Sequence, residues 1–563
     1  MPWWLLGFSM VATTFSTDTP NLVTNFVRVN GVCGNWGWWA MLPSGMLTVF
    51  LYAKLWHRSH AVTDVEFYEL RYSGKTAAFL RGFRAVYLGL FFNVMVMASV
   101  TLAAIKIGGA TLGLSPLQCV LGAMIITTIF SSAGGLRGVL LSDFFLFIVA
   151  TAGALAAAYF SVKQPEVGGL SGMMQKFSES PALLKKTQPF GFQTVTDMIQ
   201  LFLIPITFVW WSVWYSGAEP GGGGFIVQRM LAAKNEKHAV GATLFFNIAH
   251  YAVRPWPWIV VALCSLLVFP DHASLVKAVG NALPENQIAD DVAYSLMLTR
   301  LPAGWIGLVI ASLAAAYIST ISTQLNWGAS YLVNDFYVRF LDRNASQKRQ
   351  VWAGRVFTVL LMVVSGVIAL CLKNALSTFQ ILLSIGAGTG LLFLLRWFWW
   401  RINAAAEITA MVSSFVFAVY FNVFHAKIFP GYPLAPSVSM VIAVVLTTIC
   451  WMLAAWIGPE TDKQQLYRFC RMINPAGPGW NVVRQRAEKE NVVLDDGTVR
   501  REPLLPGILA SLFGCFAVYG VLLGTGEVLY GAVGKAALSF GIALPGALLA
   551  WYFGVIVPKK AAR

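Results

Sequence analysis

Residues 308–331 read LVIASLAAAYISTISTQLNWGASY, and this stretch is long and apolar enough to form a helix that crosses a lipid bilayer. Small residues fill its middle and would let a neighbouring helix approach closely. Four hydroxyl side chains then follow within five positions: Ser319, Thr320, Ser322 and Thr323. Hydroxyl and carbonyl oxygens suit an alkali cation, but Ser and Thr in a membrane helix also bond back to the preceding turn. The helix alone leaves both interpretations open.

The rest of the chain is also strongly apolar. Of its 563 residues, 57% are hydrophobic and only 12% are charged, which is far too apolar for a soluble protein of this size. Apolar runs of about 20 residues recur, without the short alternating segments of a membrane barrel. We therefore predict an all-α polytopic membrane protein. Its seven cysteines show no spacing typical of a metal site, a redox pair or a disulfide framework.

Fourteen membrane spans are predicted from the apolar runs. If the chain starts on the cytoplasmic side, most of its Lys and Arg residues fall in cytoplasmic segments, and the loop after the seventh span is acidic and external. The net charge of +15 therefore indicates membrane orientation and gives no sign of nucleic-acid binding. The predicted spans are 2–25, 35–56, 80–107, 114–136, 139–162, 193–230, 239–268, 302–333, 351–372, 378–400, 404–425, 434–457, 505–528 and 534–557.

The first and sixth of these spans are interrupted. In the first, Pro20 removes a backbone donor and disfavours a helix at Thr19. In the sixth, Glu219 and Pro220 precede four consecutive glycines, which make a poor helix. The two breaks occupy corresponding positions if spans 1–5 and 6–10 are repeats, and an odd repeat length inverts the second copy. Paired broken helices in an inverted repeat are typical of secondary transporters, with the site at mid-membrane.

This organisation divides the chain into four parts. Residues 1–402 form the predicted transporter core, with repeat one at 2–162 and repeat two at 193–400. Residues 403–457 add two membrane helices, and residues 504–563 form two more at the C-terminus. Between them, residues 458–503 form a predicted cytoplasmic segment, which is basic with scattered apolar residues. We expect this segment to lie on the cytoplasmic membrane face as short amphipathic stretches.

Three motifs carry a resemblance to a known family: residues 228–234 (QRMLAAK), residues 311–326 with their Ser319-Thr320 pair, and Ser142-Asp143 shortly after Gly134-Gly135-Leu136. Over residues 2–401 the chain resembles the sodium:solute symporters, the family of the sodium/glucose cotransporters. The resemblance implies a ten-helix LeuT-type core in the cell membrane, inner or plasma. It also implies sodium-driven symport of a small organic solute, such as a sugar, a carboxylate or an amino-acid-like compound, by alternating access.

The same resemblance carries expectations about cofactors and about the start of the chain. Sodium would be the coupling ion, and no enzymatic activity or organic cofactor is implied. Sodium ions, the solute and the lipid bilayer would be the partners, with no nucleic acid. Family members usually carry a further span before the first core helix, whereas this chain begins Met-Pro-Trp-Trp inside that helix. Either the lineage has lost that span or the gene start is misassigned, and we favour the second explanation.

The resemblance also implies a sodium site between the broken first span and the eighth span. An interrupted helix leaves carbonyls without a helical donor. The matching positions are the backbone carbonyls of Ala12, Phe15 and Ala316 and the hydroxyls of Ser319 and Thr320. Some members hold a second sodium ion, and the matching positions here are Thr14, Asp143, Ser319, Ser322 and Thr323. Asp143 has an equally good structural explanation as a carboxylate at a helix N-terminus, where the helix dipole favours it.

The sequence does not identify the solute. The positions that bind sugar in sugar-carrying members are matched by Leu42, Gly45, His250 and Leu383, so most of the polarity is gone, and Phe225 matches a gating aromatic. Ionisable residues inside spans are candidates for function by default. The substrate-binding candidates are Asp18, Thr19, Trp214, Glu219, Phe225, His250, Arg254 and Gln380.

Three roles remain open for the charged candidates. Asp18 or Glu219 could pair with Arg254 and hold the broken helices together. His250 or Arg254 could instead contact an anionic or hydroxyl-rich solute, or the pairing could open and close during transport. The alternative function is a membrane sensor built on a transporter fold, although the sequence shows no kinase-like or receiver-like segment.

Overall fold

The computed structural model of the protein describes residues 1–14, 16–133, 135–213, 219–372, 375–432, 434–495, 497 and 499–560. These residues form helices joined by turns and short loops, and none of them lies in a strand. The predicted all-α class is therefore confirmed.

The spans are numbered below as in the sequence prediction. The first consists of two helices, Trp3–Thr14 and Asp18–Asn30, and the sixth of Val195–Val209 and Gly224–Leu231. The second runs through the shorter segments Trp36–Trp39, Leu42–Leu47, Thr48–Tyr52 and Ala53–Ser59. The others are Gly74–Leu112, Pro116–Ala133, Gly135–Val162, Glu236–Val268, Trp305–Leu341, Gln347–Cys371, Ala375–Leu395, Ala404–Ile428, Pro436–Ile457, Leu504–Leu529 and Val533–Ile556.

Within the described part of the chain, nine helices are long and apolar enough to cross a membrane. The predicted interruptions of the first and sixth spans are both confirmed, because helix is lost after Thr14 and again after Val209. In the second break, Gly221 and Gly222 have φ angles of 78° and 93°, a left-handed conformation that favours glycine. The glycine run therefore marks a backbone path that other residues would adopt with strain.

The tenth span ends at Leu395, five residues before its predicted end. Its terminal carbonyls are bound by Arg71, which lies in the loop between spans 2 and 3. The Arg71 Nε donates to Arg396 O at 3.2 Å, and Nη2 donates to Trp399 O and Trp400 O at 3.1 and 3.0 Å. Carbonyls at a helix end lack a helical donor, and a buried guanidinium supplies one here. Hydropathy alone could not predict this ending, because residues 396–400 are mostly apolar.

Glycines allow close packing at the centre of the bundle. The first helix of span 1 packs against spans 5, 7 and 8. A Cβ at Gly7 would lie 2.7 Å from the Phe245 side chain, and one at Gly328 would lie 2.8 Å from the Gly89 carbonyl oxygen. Small residues at such contacts let helix backbones approach. The broken first span is therefore held tightly among long, continuous helices.

Two adjacent carboxylates tie the outer ends of several spans together. Lys106 on span 3 forms a fully buried ion pair with Asp291, with 2.7 Å between Nζ and Oδ2. Arg28 on span 1 pairs with Asp290 at 2.8 Å and donates to the Ser265 carbonyl of span 7 at 3.0 Å. The acidic loop predicted to be external thus holds spans 1, 3 and 7.

The described residues of the predicted cytoplasmic segment, 458–495, 497 and 499–503, are called the cap below. It contains the helices Lys463–Ile473 and Asn481–Lys489. The apolar side chains of Phe469, Ile473 and Trp480 are buried in the protein, and the placement of the segment at the cytoplasmic membrane face stays a prediction. The pattern is amphipathic as expected, but the protein itself covers its apolar face.

Candidate functional site

The break in the first span exposes carbonyls that other spans then bind. Phe15 lies outside the described residues, and the first helix ends at Thr14. Thr320 on span 8 donates its Oγ1 hydrogen to the Thr13 carbonyl at 3.0 Å. Arg254 on span 7 donates from Nη1 to the Val11 carbonyl at 2.8 Å. Ala12 lies buried between these two carbonyls, so the helix end faces side chains from two neighbouring spans.

Two hydroxyls of span 8, those of Thr320 and Thr323, lie against the end of the first helix of span 1. Ser319, Thr320, Ser322 and Thr323 are all buried, and so is Ala316. The Thr323 hydroxyl lies 3.5 Å from the Thr13 hydroxyl. The structure therefore brings together the described residues predicted for the first sodium site, which come from spans 1 and 8.

Asp143 on span 5 joins three other spans. Its two carboxylate oxygens accept hydrogen bonds from Ser9 and Ser319, each at 2.5 Å. The Arg229 guanidinium lies 3.9 Å away, and it also donates to the Ser9 hydroxyl at 3.2 Å and to the Thr323 hydroxyl at 3.5 Å. This is a compact, buried arrangement of one acid, one base and three hydroxyls.

Other residues predicted for a second sodium ion have different surroundings. The Thr14 hydroxyl donates back to the Met10 carbonyl at 2.5 Å and approaches the Val11 carbonyl at 3.3 Å. This is the back-bonding expected of a hydroxyl in a membrane helix. The second ion site stays a prediction, and Arg229 already places a positive charge beside Asp143.

Ser9 and Arg229 were missed as site residues by the sequence analysis. Arg229 lies inside the recognised motif at 228–234, and a charge inside a predicted span is a signal of function. That signal could have been used. Ser9 gave no signal, because a single serine in an apolar helix is most often bonded to its own backbone.

A small cavity lies between span 2, the break in span 6 and span 7. It measures about 40 Å³. Glu219 reaches it from the sixth-span break and forms a buried ion pair with Arg84 of span 3. The carboxylate is therefore compensated by a cation from outside the cavity. The polar residues that line this cavity are Ser44, Thr48, Glu219, Thr243 and Asn247.

Asn247 has the most informative position in the cavity wall. Its amide Nδ2 donates to the Thr243 carbonyl at 2.9 Å and to the Gly45 carbonyl at 3.4 Å. Its Oδ1 is buried and has no hydrogen-bond partner among the described residues. A buried acceptor without a partner is costly, so a donor from a bound molecule would stabilise this side chain.

The loop between spans 2 and 3, residues 60–73, holds the other side of the sixth-span break. Asp64 in this loop accepts a hydrogen bond from the Gly224 backbone N–H at 2.7 Å, and Tyr331 of span 8 donates to the same carboxyl group. Burial raises the pKa of Asp64 to about 7, and the nearby Glu219 carboxylate acts in the same direction. The start of the second helix of span 6 is thereby fixed to the loop between spans 2 and 3 and, through that loop, to span 8.

The charged substrate candidates have separate environments. Glu219 pairs with Arg84, so the proposed pairing of Glu219 with Arg254 is wrong. His250 lies against Phe246, Trp38 and Tyr251, with ring centroids 5.3, 5.4 and 4.7 Å away. Neither His250 nor Arg254 is among the residues that line the small cavity.

The remaining candidates are placed as follows. Asp18 and Thr19 are half-buried at the start of the second helix of span 1. Phe225 is buried, and the Arg229 guanidinium lies 5.5 Å from its ring centre. Gln380 lines a different cavity of about 480 Å³, which spans 6, 10, 11 and 12 enclose in part. Trp214 lies outside the described residues.

The arrangement is that of a secondary transporter, with two broken helices at mid-bundle and polar groups gathered around them. Comparison with known proteins extends this conclusion. A model of the sodium:solute symporter family matches residues 1–415. The chain therefore belongs to the sodium:solute symporter family, and it is an integral membrane protein that couples solute symport to sodium.

Individual relatives are distant in sequence. The sodium/glucose cotransporter of Vibrio parahaemolyticus is 24% identical over 438 residues, covering 75% of this chain and 77% of the relative. The sodium/myo-inositol cotransporter 2 of Oryctolagus cuniculus is 26% identical over 437 residues, and the match spans 73% of this chain and 62% of that longer protein.

A solved structure supports the fold. A Na⁺-coupled sialic acid symporter in a substrate-bound, outward-open state superposes with a TM-score of 0.60 and 18% identity, covering 82% of this chain and 91% of that one. The LeuT-type architecture expected from the sequence is thereby confirmed. At this identity the likeness concerns the fold alone.

The Asp143 cluster generates a test of its two possible roles. Asp143→Asn removes the charge that faces Arg229 inside the protein, and removing one partner of a buried pair costs roughly 3 kcal/mol. We expect the melting temperature of the purified protein to fall equally in sodium and in potassium. An unchanged melting temperature in potassium, together with loss of the sodium effect, would instead identify Asp143 as an ion ligand.

Proposed function

We propose that this symporter takes up a small, neutral, hydroxyl-rich solute by alternating access at the cavity between spans 2, 6 and 7. The observation that carries the proposal is the lining of that cavity. Four hydroxyl-bearing residues and one amide line it, although the Thr48 and Thr243 hydroxyls donate to carbonyls of their own helices. Its one carboxylate, Glu219, is paired with Arg84. Because Arg84 neutralises the carboxylate from outside the cavity, the lining favours a neutral molecule that forms hydrogen bonds. At about 40 Å³ the cavity is closed around a volume far smaller than a ligand site, so the proposal requires it to widen when the transporter opens.

The unpartnered acceptor on Asn247 supports hydroxyl donors in particular. A site built to bond a hydroxyl group discriminates strongly against an analogue that lacks it, because its own polar groups are then left unpaired. The named solutes of two relatives, glucose and myo-inositol, are both neutral and rich in hydroxyls. An anionic solute is less well supported, because Arg254 is bound to the Val11 carbonyl and lies away from the cavity lining.

We propose that the coupling sodium ion binds where the broken first span contacts the eighth span. The carbonyls of Ala12, Phe15 and Ala316 would act with the hydroxyls of Ser319 and Thr320. In support, Thr320 already bridges to the broken helix through the Thr13 carbonyl. Hard oxygen donors at an interrupted helix suit sodium. An ion held there would pull the two spans together and favour one arrangement of the transporter over the other.

For a second sodium ion we propose Thr14, Asp143, Ser322 and Thr323. Both Asp143 oxygens accept hydroxyl donors, and Arg229 lies nearby. Two positive charges beside one buried acid repel each other. A second ion at this place would therefore require the guanidinium to move away.

The ion site predicts the behaviour of a double variant, Ser319→Ala with Thr320→Ala. It lacks two of the proposed ligands, so sodium binding should weaken at least about ten-fold. Thermal unfolding of the purified protein, compared in sodium and potassium, measures this as loss of the sodium-dependent stabilisation. Ser312→Ala is the matched control, because this buried hydroxyl of the same span donates to its own Val309 carbonyl at 2.7 Å. Wild-type sodium stabilisation in the double variant would contradict the site.

The solute site predicts a separate effect for Asn247→Ala. Loss of one buried hydrogen-bond partner should weaken binding of a polyol about ten-fold or more, while sodium stabilisation is retained. Uptake of radiolabelled myo-inositol and glucose into proteoliposomes, driven by a sodium gradient, measures the apparent affinity. Asn422→Ala is the matched control, because that side chain lines the other cavity. Equal uptake by the Asn247 variant and the wild type would exclude this cavity as the solute site.

A further inference from the structure

The small cavity is closed toward the predicted cytoplasmic side by aromatic residues. Ser44 and Thr48 line the cavity, and the next turns of the same span carry Tyr52 and Trp56. Tyr52 donates to the Leu394 carbonyl of span 10 at 2.8 Å. The rings of Trp56 and Trp397 lie 4.9 Å apart between centroids. Spans 2 and 10 must therefore separate before the cavity can open in this direction.

The cap adds a second layer directly behind the first. Phe469 lies 6.0 Å from the Trp397 ring, and Trp480 stacks on Phe469 at 5.5 Å. The indole Nε1 of Trp480 donates to the Trp397 carbonyl at 2.9 Å, and the Trp400 N–H donates to the Gly479 carbonyl at 3.1 Å. A Cβ added at Gly479 would lie 2.1 Å from the backbone carbonyl oxygen of Phe398, just beyond the end of span 10. The cap is thus fitted closely to the end of span 10.

This contact between the cap and span 10 is dry and extensive. Phe469, Trp480, Trp397 and Arg71 are all fully buried. The Arg71 guanidinium lies 4.7 Å from the Trp480 ring centre, a cation–π contact in a desolvated setting. Breaking it would expose several large aromatic surfaces at once. We therefore take the cap and the end of span 10 to move together.

The contact between the cap and span 2 is of another kind. Glu502 forms ion pairs with Lys54 at 3.2 Å and with Arg58 at 3.4 Å, and Arg58 also donates to the Arg500 carbonyl at 2.8 Å. We call these four residues the clasp. Glu502 and Lys54 each keep 22% of their side-chain surface exposed. The Lys54–Glu502 pair is accessible to water and therefore weak. Arg58 is buried, but on losing Glu502 it keeps its ion pair with Glu236, so the clasp can open without leaving an unpaired charge there.

Two further features indicate which elements separate. Arg58 pairs with Glu236 at the start of span 7 at 2.7 Å, so spans 2 and 7 are linked at this end. Span 2 ends at Ser59, and His60 then has a φ angle of 50°, which breaks the helix direction before the buried loop. The chain can pivot at this position while the loop stays packed on the cap.

We propose that the cap is the fixed half of a gate on the predicted cytoplasmic side, and that the clasp opens in each transport cycle to release solute and sodium. This inference rests on the proposed function, because it assumes that the cavity alternates between the two sides. It assigns residues 458–503 a role in release. Holding the clasp shut then keeps the cavity closed on this side.

The test joins the two sides of the clasp reversibly. The background chain carries Cys371→Ser and Cys450→Ser, because these are the native cysteines that are not buried. Into it are introduced Lys54→Cys and Glu502→Cys, which can be linked, and Thr48→Cys, which reports access to the cavity. Inside-out vesicles in sodium are treated with a short bifunctional methanethiosulfonate that links positions 54 and 502. Sodium is then exchanged for potassium, and a membrane-impermeant maleimide labels position 48 from the cytoplasmic face.

We expect the link to slow labelling at least about ten-fold and a reductant to restore it. The control link joins Lys463→Cys and Glu490→Cys, two cap positions whose side chains form an ion pair at 3.1 Å, and it should leave labelling unchanged. Glu502→Gln without any link should speed labelling in sodium about two- to five-fold, because the ion pairs of Glu502 with Lys54 and Arg58 are both lost.

The outcomes separate the two proposals. Labelling of the linked chain at the unlinked rate would overturn the role of the clasp while leaving symport intact. If position 48 is never labelled from this side in any unlinked chain, with sodium or with potassium, alternating access at this cavity is itself wrong, and the gate is excluded with it.

Discussion

A helix that stops in the middle of a membrane leaves backbone carbonyls that lipid cannot bind, so the protein must supply donors or ions there. The first span stops in this way at Thr14. Its carbonyls at Val11 and Thr13 are met by Arg254 from span 7 and Thr320 from span 8. The position of spans 7 and 8 against the first span follows from this requirement. A sodium ion at the same contact would satisfy it in a way that can be reversed.

The buried charges serve the second interruption. Glu219 lies in the break of span 6, where an uncompensated carboxylate would be very costly, and Arg84 from span 3 neutralises it. Asp64 fixes the other side of the break through the Gly224 N–H. Because Arg84 and Asp64 lie outside the cavity lining, the cavity keeps a neutral surface that can form hydrogen bonds. The same pairs fasten the sixth span to the surrounding helices, so solute recognition and the stability of the break depend on shared residues.

Hydropathy, proline and glycine were enough to predict the nine long apolar helices of the described residues and both interruptions. The span 8 motif predicted the hydroxyls that meet the first span. Rotation of a helix about its axis was not predictable. His250 was matched to the solute site, but Asn247, three residues earlier, lines the cavity. Span 7 contains a π-helical segment at Ala249–Val253, and span 2 has another at Thr48–Tyr52. Each widened turn shifts which residues face inward. The surface against which the cap packs also depends on contacts distant in sequence.

The central claim is that the broken first span and span 8 hold a sodium ion whose binding is coupled to a polyol. Equilibrium binding of radioactive sodium to the purified wild-type protein tests it most directly, with potassium as competitor and with myo-inositol or glucose present or absent. We predict saturable binding that potassium does not displace and that one of the polyols tightens, since coupling between two ligands is reciprocal. Absence of saturable sodium binding, or binding that no polyol changes, would contradict the account.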